Sequence, residues 1–122
     1  MDVLSSTGGA VVAAWGVAHV VPTGKIVAGF GPISDDNRNI VAMEWVVEGL
    51  FLVFTGVLVI VTNVTGLGDH AVRVVDSCAA AALIALAVVS LFTGFKVRYL
   101  PFRLCPVIFT ASAALILAGA FT

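Results

Sequence analysis

Charge is what this sequence has least of. Six basic and seven acidic side chains serve 122 residues, so 11% of the chain is charged, against roughly 25% in an ordinary soluble domain. A soluble protein this short exposes most of its surface and could not cover it with so few charges. A soluble globular domain is excluded on that ground, and so is a disordered chain. The net charge is −1 and no basic run is present, which excludes a nucleic-acid partner. Cysteine is nearly absent as well. Cys78 and Cys105 form neither a CxxC nor a metal-type spacing. The chain also has no Glu-x-x-His pair, no HExxH, no histidine cluster for haem or copper, and no glycine-rich phosphate loop. No metal and no cofactor is therefore expected.

What the chain has in quantity is apolar residues, 61% of the total, with a mean hydropathy of +1.16. A membrane helix takes about 20 residues, so this length holds at most four spans and no separate soluble domain. The expected fold is all-α, an integral membrane four-helix antiparallel bundle in one transmembrane domain over residues 1–122. The helices are expected near 3–21, 35–62, 70–95 and 105–121. The first lacks a basic leading region and a small-x-small cleavage pattern, so it is read as a retained helix. Residues 22–33 hold two prolines and three glycines and are expected to be a loop lying on or tucking into the bundle. Ser34 followed by Asp35 and Asp36 has the form of a helix start, a cap with acidic residues in the first turn. Asn63-Val64-Thr65 matches a glycosylation sequon hard against the membrane. Pro106 is placed in the first turn of the last helix.

The loops after the first and third spans hold Lys25, Arg38, Lys96, Arg98 and Arg103, and Arg73 alone lies on the other side. The positive-inside rule puts those two loops, 22–39 and 96–104, in the cytoplasm and both termini outside. Cys78 and Cys105 then sit at different depths, too far apart to bond.

Ionisable groups within a bilayer need an explanation. Glu44 and Glu48 are four residues apart and share a helical face. Glu48 falls about 12 Å beyond Ile40, close to the midplane. Two carboxyls this close in an apolar medium are costly to ionise together, so one is expected to keep a proton and serve as a general acid. His19 ends the first span on the side of Glu44, where two readings stand level: a proton relay between the two, or an interfacial histidine hydrogen-bonded to the loop. Asp69, His70, Arg73 and Asp76 gather at the other end. There Arg73 has the spacing to pair with Asp69 or Asp76, and Asp76 lies deep enough to face the cavity of Glu48. The candidate catalytic set is thus Glu48, Glu44, Asp76 and His19. Trp45 and Met43 flank Glu44, Trp15 shares a face with His19, and Asn37 belongs to a polar cluster ahead of Glu44. These four are the candidate substrate-binding residues.

The size and four-helix plan resemble several groups of small membrane proteins without matching their motifs. Small multidrug transporters carry a key glutamate in the first helix, where this chain has none. Membrane thiol enzymes that reduce quinones need a CxxC. Membrane glutathione and eicosanoid enzymes carry a basic, asparagine and glutamate pattern that Arg38, Asn39 and Glu44 meet only at a different spacing.

The leading expectation is a small membrane enzyme that performs cofactor-independent acid–base chemistry on a lipophilic substrate: isomerisation, cyclisation or epoxide-type hydrolysis. Two alternatives stand beside it. One is a proton-coupled transporter acting as a homo-oligomer. The other is an accessory subunit that meets a membrane protein partner through the small-residue stripes Gly9, Ala13, Gly16 and Ala79–Ala82 with Ala85. Membrane lipid is the partner common to all three.

Overall fold

The computed structural model describes residues 2–122. Its elements are helices α1 (Val3–Val20), α2 (Thr23–Ala28), α3 (Asp35–Val64) and α4 (Asp69–Phe92), a 3-10 turn (Gly94–Lys96), and helix α5 (Leu100–Phe121). No strand is present among the described residues, and the fold is all-α. Helices α1, α3, α4 and α5 are each long and apolar enough to cross a bilayer. This supports an integral membrane protein. The exposed surface agrees with that, since Leu50, Phe54, Val88, Phe92 and Val107 all point outward. Such a surface suits hydrocarbon as its solvent.

Local chemistry sets the helix ends. Asp2 caps α1, its carboxylate accepting from the Ser5 amide at 2.8 Å. Ser34 caps α3 as its sequence suggests, with the hydroxyl accepting from the Asn37 amide at 3.2 Å. Helix α3 has 30 residues, or about 45 Å at 1.5 Å each. That exceeds a hydrocarbon core of about 30 Å, so its polar first turns, Asp35 to Asn39, project beyond the apolar zone.

Two segments depart from expectation. Residues 22–33 are not irregular throughout, because Thr23–Ala28 forms the short helix α2. Pro22 lies just ahead of its first turn, where a missing N–H does no harm, and Val27 is buried. Gly29 and Gly31 then end it, Gly31 at φ +71°, a backbone conformation that glycine adopts without strain. The last helix begins at Leu100 rather than near 105. Pro101 occupies its first turn, and Pro106 lies inside the helix. Pro106 has no N–H to give the Phe102 carbonyl, so the ladder is interrupted there.

Helix α1 is the centre of the bundle. It packs along α3 on one side and α5 on the other, and α4 packs mainly on α5. Helices α3 and α4 touch little, although a short turn joins them. The α1–α3 seam is made by glycines from both helices. A Cβ on Gly9 would lie 2.8 Å from the Gly56 carbonyl oxygen, and one on Gly16 would lie 2.7 Å from that of Gly49. The small-residue stripe of α1 is therefore consumed in internal packing. Ala79, Ala80 and Ala87 of α4 are likewise buried, in a core built around Val12, Leu52, Leu83, Phe109 and Ile116.

The end of the bundle holding the chain termini is tied by a buried polar node. Ser5 of α1 lies beside Asp76 of α4 (2.8 Å) and the Ile116 carbonyl of α5 (3.0 Å), with its hydroxyl facing both acceptors. The Asn63 amide of α3 donates to the Val59 carbonyl and to the Asp76 carboxylate. All four spans meet there. The Asn63 side chain is occupied by this network, which argues against its use as a glycan acceptor.

Candidate functional site

A cavity of about 1010 Å3 opens at the other end of the bundle. Its walls come from the end of α1, from α2, from the first half of α3, from the end of α4 and from the start of α5. It lies where α3 and α4 diverge from their shared turn. The size is at the upper end of small-molecule pockets, which run to about 1,000 Å3, and the mainly apolar lining with few polar groups is typical of them.

The glycine seam positions the polar wall. Gly49 lets the end of α1 come close, and a Cβ there would collide with Val20 and stand 3.4 Å from the His19 ring. That register sets His19 against the residue before Gly49, which is Glu48. His19 Nε2 lies 3.5 Å from Glu48 Oε2. The separation exceeds the usual 2.7–3.2 Å of an N–H···O bond, and Nε2 has no hydrogen-bond partner although its side chain is only 8% exposed. The relay between His19 and Glu44 is thus corrected: the partner of His19 is Glu48. Glu44 lies one turn nearer the helix start, on the same pocket wall, and is exposed.

Trp45 fixes the imidazole. Its ring stacks on His19 with centroids 3.9 Å apart and planes 14° from parallel. Its Nε1–H donates to the His19 carbonyl oxygen at 2.6 Å. Phe102 of α5 packs on Trp45 at a tilt, with centroids 5.3 Å apart, and Tyr99 lies 6.0 Å from Phe102. Trp45 therefore belongs to the pocket, beyond the interfacial anchoring its position suggests. Trp15 lines the same space.

Asp76 does not reach this site. It is fully buried in the node with Ser5 and Asn63, among residues that are not part of the cavity. The separation of α3 and α4 explains this, because the two helices approach at Asn63 and diverge toward Glu48. The expected ion pairs of Arg73 are not formed either. Among the described residues His19–Glu48 is the sole approach of a basic to an acidic group within 4 Å, and Asp69, His70 and Arg73 are exposed. Met43 and Asn37 also fall outside the lining. Met43 is 55% exposed on another part of the α3 surface, and Asn37 serves the N-terminal cap through its backbone.

Several lining residues escaped the sequence reading: Phe51, Ser90, Thr93, Tyr99, Phe102 and Cys105. The run Tyr99–Phe102 does carry a signal, an aromatic cluster beside basic residues. That pattern marks a membrane interface equally well. Both cysteines are free thiols, Cys78 exposed on α4 and Cys105 half-buried on the pocket wall. Compared with protein-family models, curated proteins and solved structures, the chain matches none.

Proposed function

We propose that the protein is a small integral membrane enzyme that admits a lipophilic molecule to the pocket and moves a proton on it, with His19 and Glu48 as the acid–base pair. The observation that carries this reading is the buried His19 Nε2, unpaired and 3.5 Å from Glu48 on the wall of an apolar cavity. A buried polar atom without a partner is costly, and a polar group of the substrate that bonds to Nε2 would relieve that cost. In an isomerisation one group gives a proton at one atom of the substrate and the other takes one from a second atom, which leaves the proton on the opposite member of the pair, and its passage back between Glu48 and His19 restores the starting state. Positioned proton transfer of this kind contributes about 10²–10⁴ in rate. The stack with Trp45 would hold the imidazole in place while the proton moves. The sparse contact between α3 and α4 offers a lipophile a route from the bilayer. The chemistry calls for no cofactor.

Five of the six basic residues lie at the pocket end of the bundle. The positive-inside bias therefore assigns the pocket to the cytoplasmic half of the membrane and both termini to the opposite side.

The test is proton exchange. The protein is reconstituted in nanodiscs with a lipid extract of its source membrane, in deuterated water. The reading expects a lipophilic species that gains carbon-bound deuterium with the wild type and not with Glu48→Gln. Equal labelling by the two proteins, or none by either, would remove the enzymatic reading. Proton-coupled transport is the second reading, favoured by the half-open pocket between α3 and α4 with a carboxylate on its wall. Solute uptake into liposomes that needs both a pH gradient and Glu48 would select it.

A further inference from the structure

The pocket is unbalanced in charge. Glu44 and Glu48 both line it, and no lysine or arginine does. Among the described residues neither carboxylate lies within 4 Å of a lysine or arginine nitrogen, and the one titratable nitrogen near Glu48 is His19 Nε2, which carries charge only when protonated. None of the five basic side chains at this end is part of the wall. The Arg103 guanidinium, for instance, lies 5.1 Å from the ring of Phe95, which is not part of the wall. A carboxylate in an apolar setting ordinarily finds a cation or a dense set of donors. Here the protein supplies neither, so the complement is left to the ligand.

The rest of the wall suits the same partner. Both tryptophans of the chain, its single tyrosine, Phe51 and Phe102 face the cavity. The faces of aromatic rings attract cations, tryptophan most strongly, and the attraction grows when water is excluded. The unpartnered Nε2 of His19, on a side chain more than nine-tenths buried, adds a polar atom beside Glu48. An anion would meet two carboxylates here. A neutral lipophile would gain from the apolar walls but leave both carboxylates uncompensated.

We infer that the pocket is selective for a lipophilic organic cation, a drug-sized molecule carrying an ammonium or other onium centre in an apolar frame. The onium centre sits beside Glu48 among the aromatic side chains of the wall, and Glu44 attracts it at the entrance. This inference rests on the pocket reading given above and adds the charge class of the substrate.

The test compares three probes that share phenyl rings and differ in charge: tetraphenylphosphonium, tetraphenylborate and triphenylmethanol. The whole protein is placed in nanodiscs of zwitterionic phosphatidylcholine, and binding is read from quenching of Trp15 and Trp45, with empty nanodiscs as the blank. The expected result is saturable binding of tetraphenylphosphonium at least tenfold tighter than triphenylmethanol, and no saturable binding of tetraphenylborate. The Glu44→Gln, Glu48→Gln double variant should lose at least tenfold toward the phosphonium and keep its affinity for triphenylmethanol. The matching Glu→Asp double variant, which retains the charges, should keep the preference, and this separates charge from damage to the fold. Equal binding of the cation and the alcohol, or preference for the borate, would overturn the cation inference and leave the lipophile pocket standing. Saturable binding of none of the three would overturn both.

Discussion

Ser5 and Asp76 are 71 residues apart in the chain and are joined by a 2.8 Å contact from hydroxyl to carboxylate in a fully buried setting. With Asn63 and the Ile116 carbonyl they tie all four spans together at the end away from the pocket. The protein therefore keeps its two sets of buried polar groups at opposite ends. One set is satisfied internally, and the other is left with an open position at His19.

The satisfied set should behave as structure. Ser5→Ala is expected to cost about 1 kcal/mol, the scale of a hydrogen bond between membrane helices. Asp76→Ala should cost more, roughly 2–3 kcal/mol, because it strips the buried Ser5 hydroxyl and Asn63 amide of a shared acceptor. Thermal unfolding in detergent checks the order. A variant lacking Asp76 that melts like the wild type would contradict the structural role.

Glu48 should show the reverse pattern. Its side chain is 39% exposed and has no lysine or arginine partner, so Glu48→Gln should leave the unfolding temperature near that of the wild type. Turnover in the deuterium assay should fall by about 10²-fold or more. A fall in stability with retained turnover would reverse the assignment.

The glycine seam can be tested by size. Gly16→Ala places a Cβ 2.7 Å from the Gly49 carbonyl oxygen and the Val53 backbone nitrogen. Backbone atoms cannot yield as a flexible side chain can, so a cost of roughly 1–3 kcal/mol is expected. Gly68→Ala is the control, since a Cβ there meets nothing within 4 Å. Pushing α1 off α3 also moves His19 away from Glu48, so the Gly16 variant should lose turnover along with stability. Equal melting of the two variants would refute the seam.

Cys105 reports on pocket occupancy. It lines the cavity and Cys78 does not. Saturating tetraphenylphosphonium should slow reaction of Cys105 with a membrane-permeant maleimide several-fold and leave Cys78 unaffected, as read by mass spectrometry of the two peptides. Equal protection of both thiols, or of neither, would place the probe elsewhere.

Orientation is open to a direct check. A reporter fused at the C-terminus that is active only outside the cytoplasm should be active, and one fused within residues 96–98 should not. The opposite result would put the pocket in the outer half of the bilayer.

The four spans were legible in the sequence because each is a continuous apolar run of membrane length, and that property needs no partner. The α3 cap was legible for a similar reason, as Ser34, Asp35 and Asp36 act on their own first turn. The shared helical face of Glu44 and Glu48 also follows from spacing alone. Other features depended on contacts between helices. The pairing of His19 with Glu48 in place of Glu44 is set by a helix register that Gly16, Gly49 and Gly56 fix through close approach of backbones. The aromatic wall joins Trp15, Trp45 and Phe102, which lie on three different helices. The sequence order suggests that Asp76 shares the cavity of Glu48, but α3 and α4 adjoin in the chain and part in space. Composition and periodicity determined that this chain enters a bilayer as helices, since burial in hydrocarbon acts on each segment separately. Only the tertiary structure decided which polar groups are satisfied and which remain open, because that depends on how the segments are turned and set against one another.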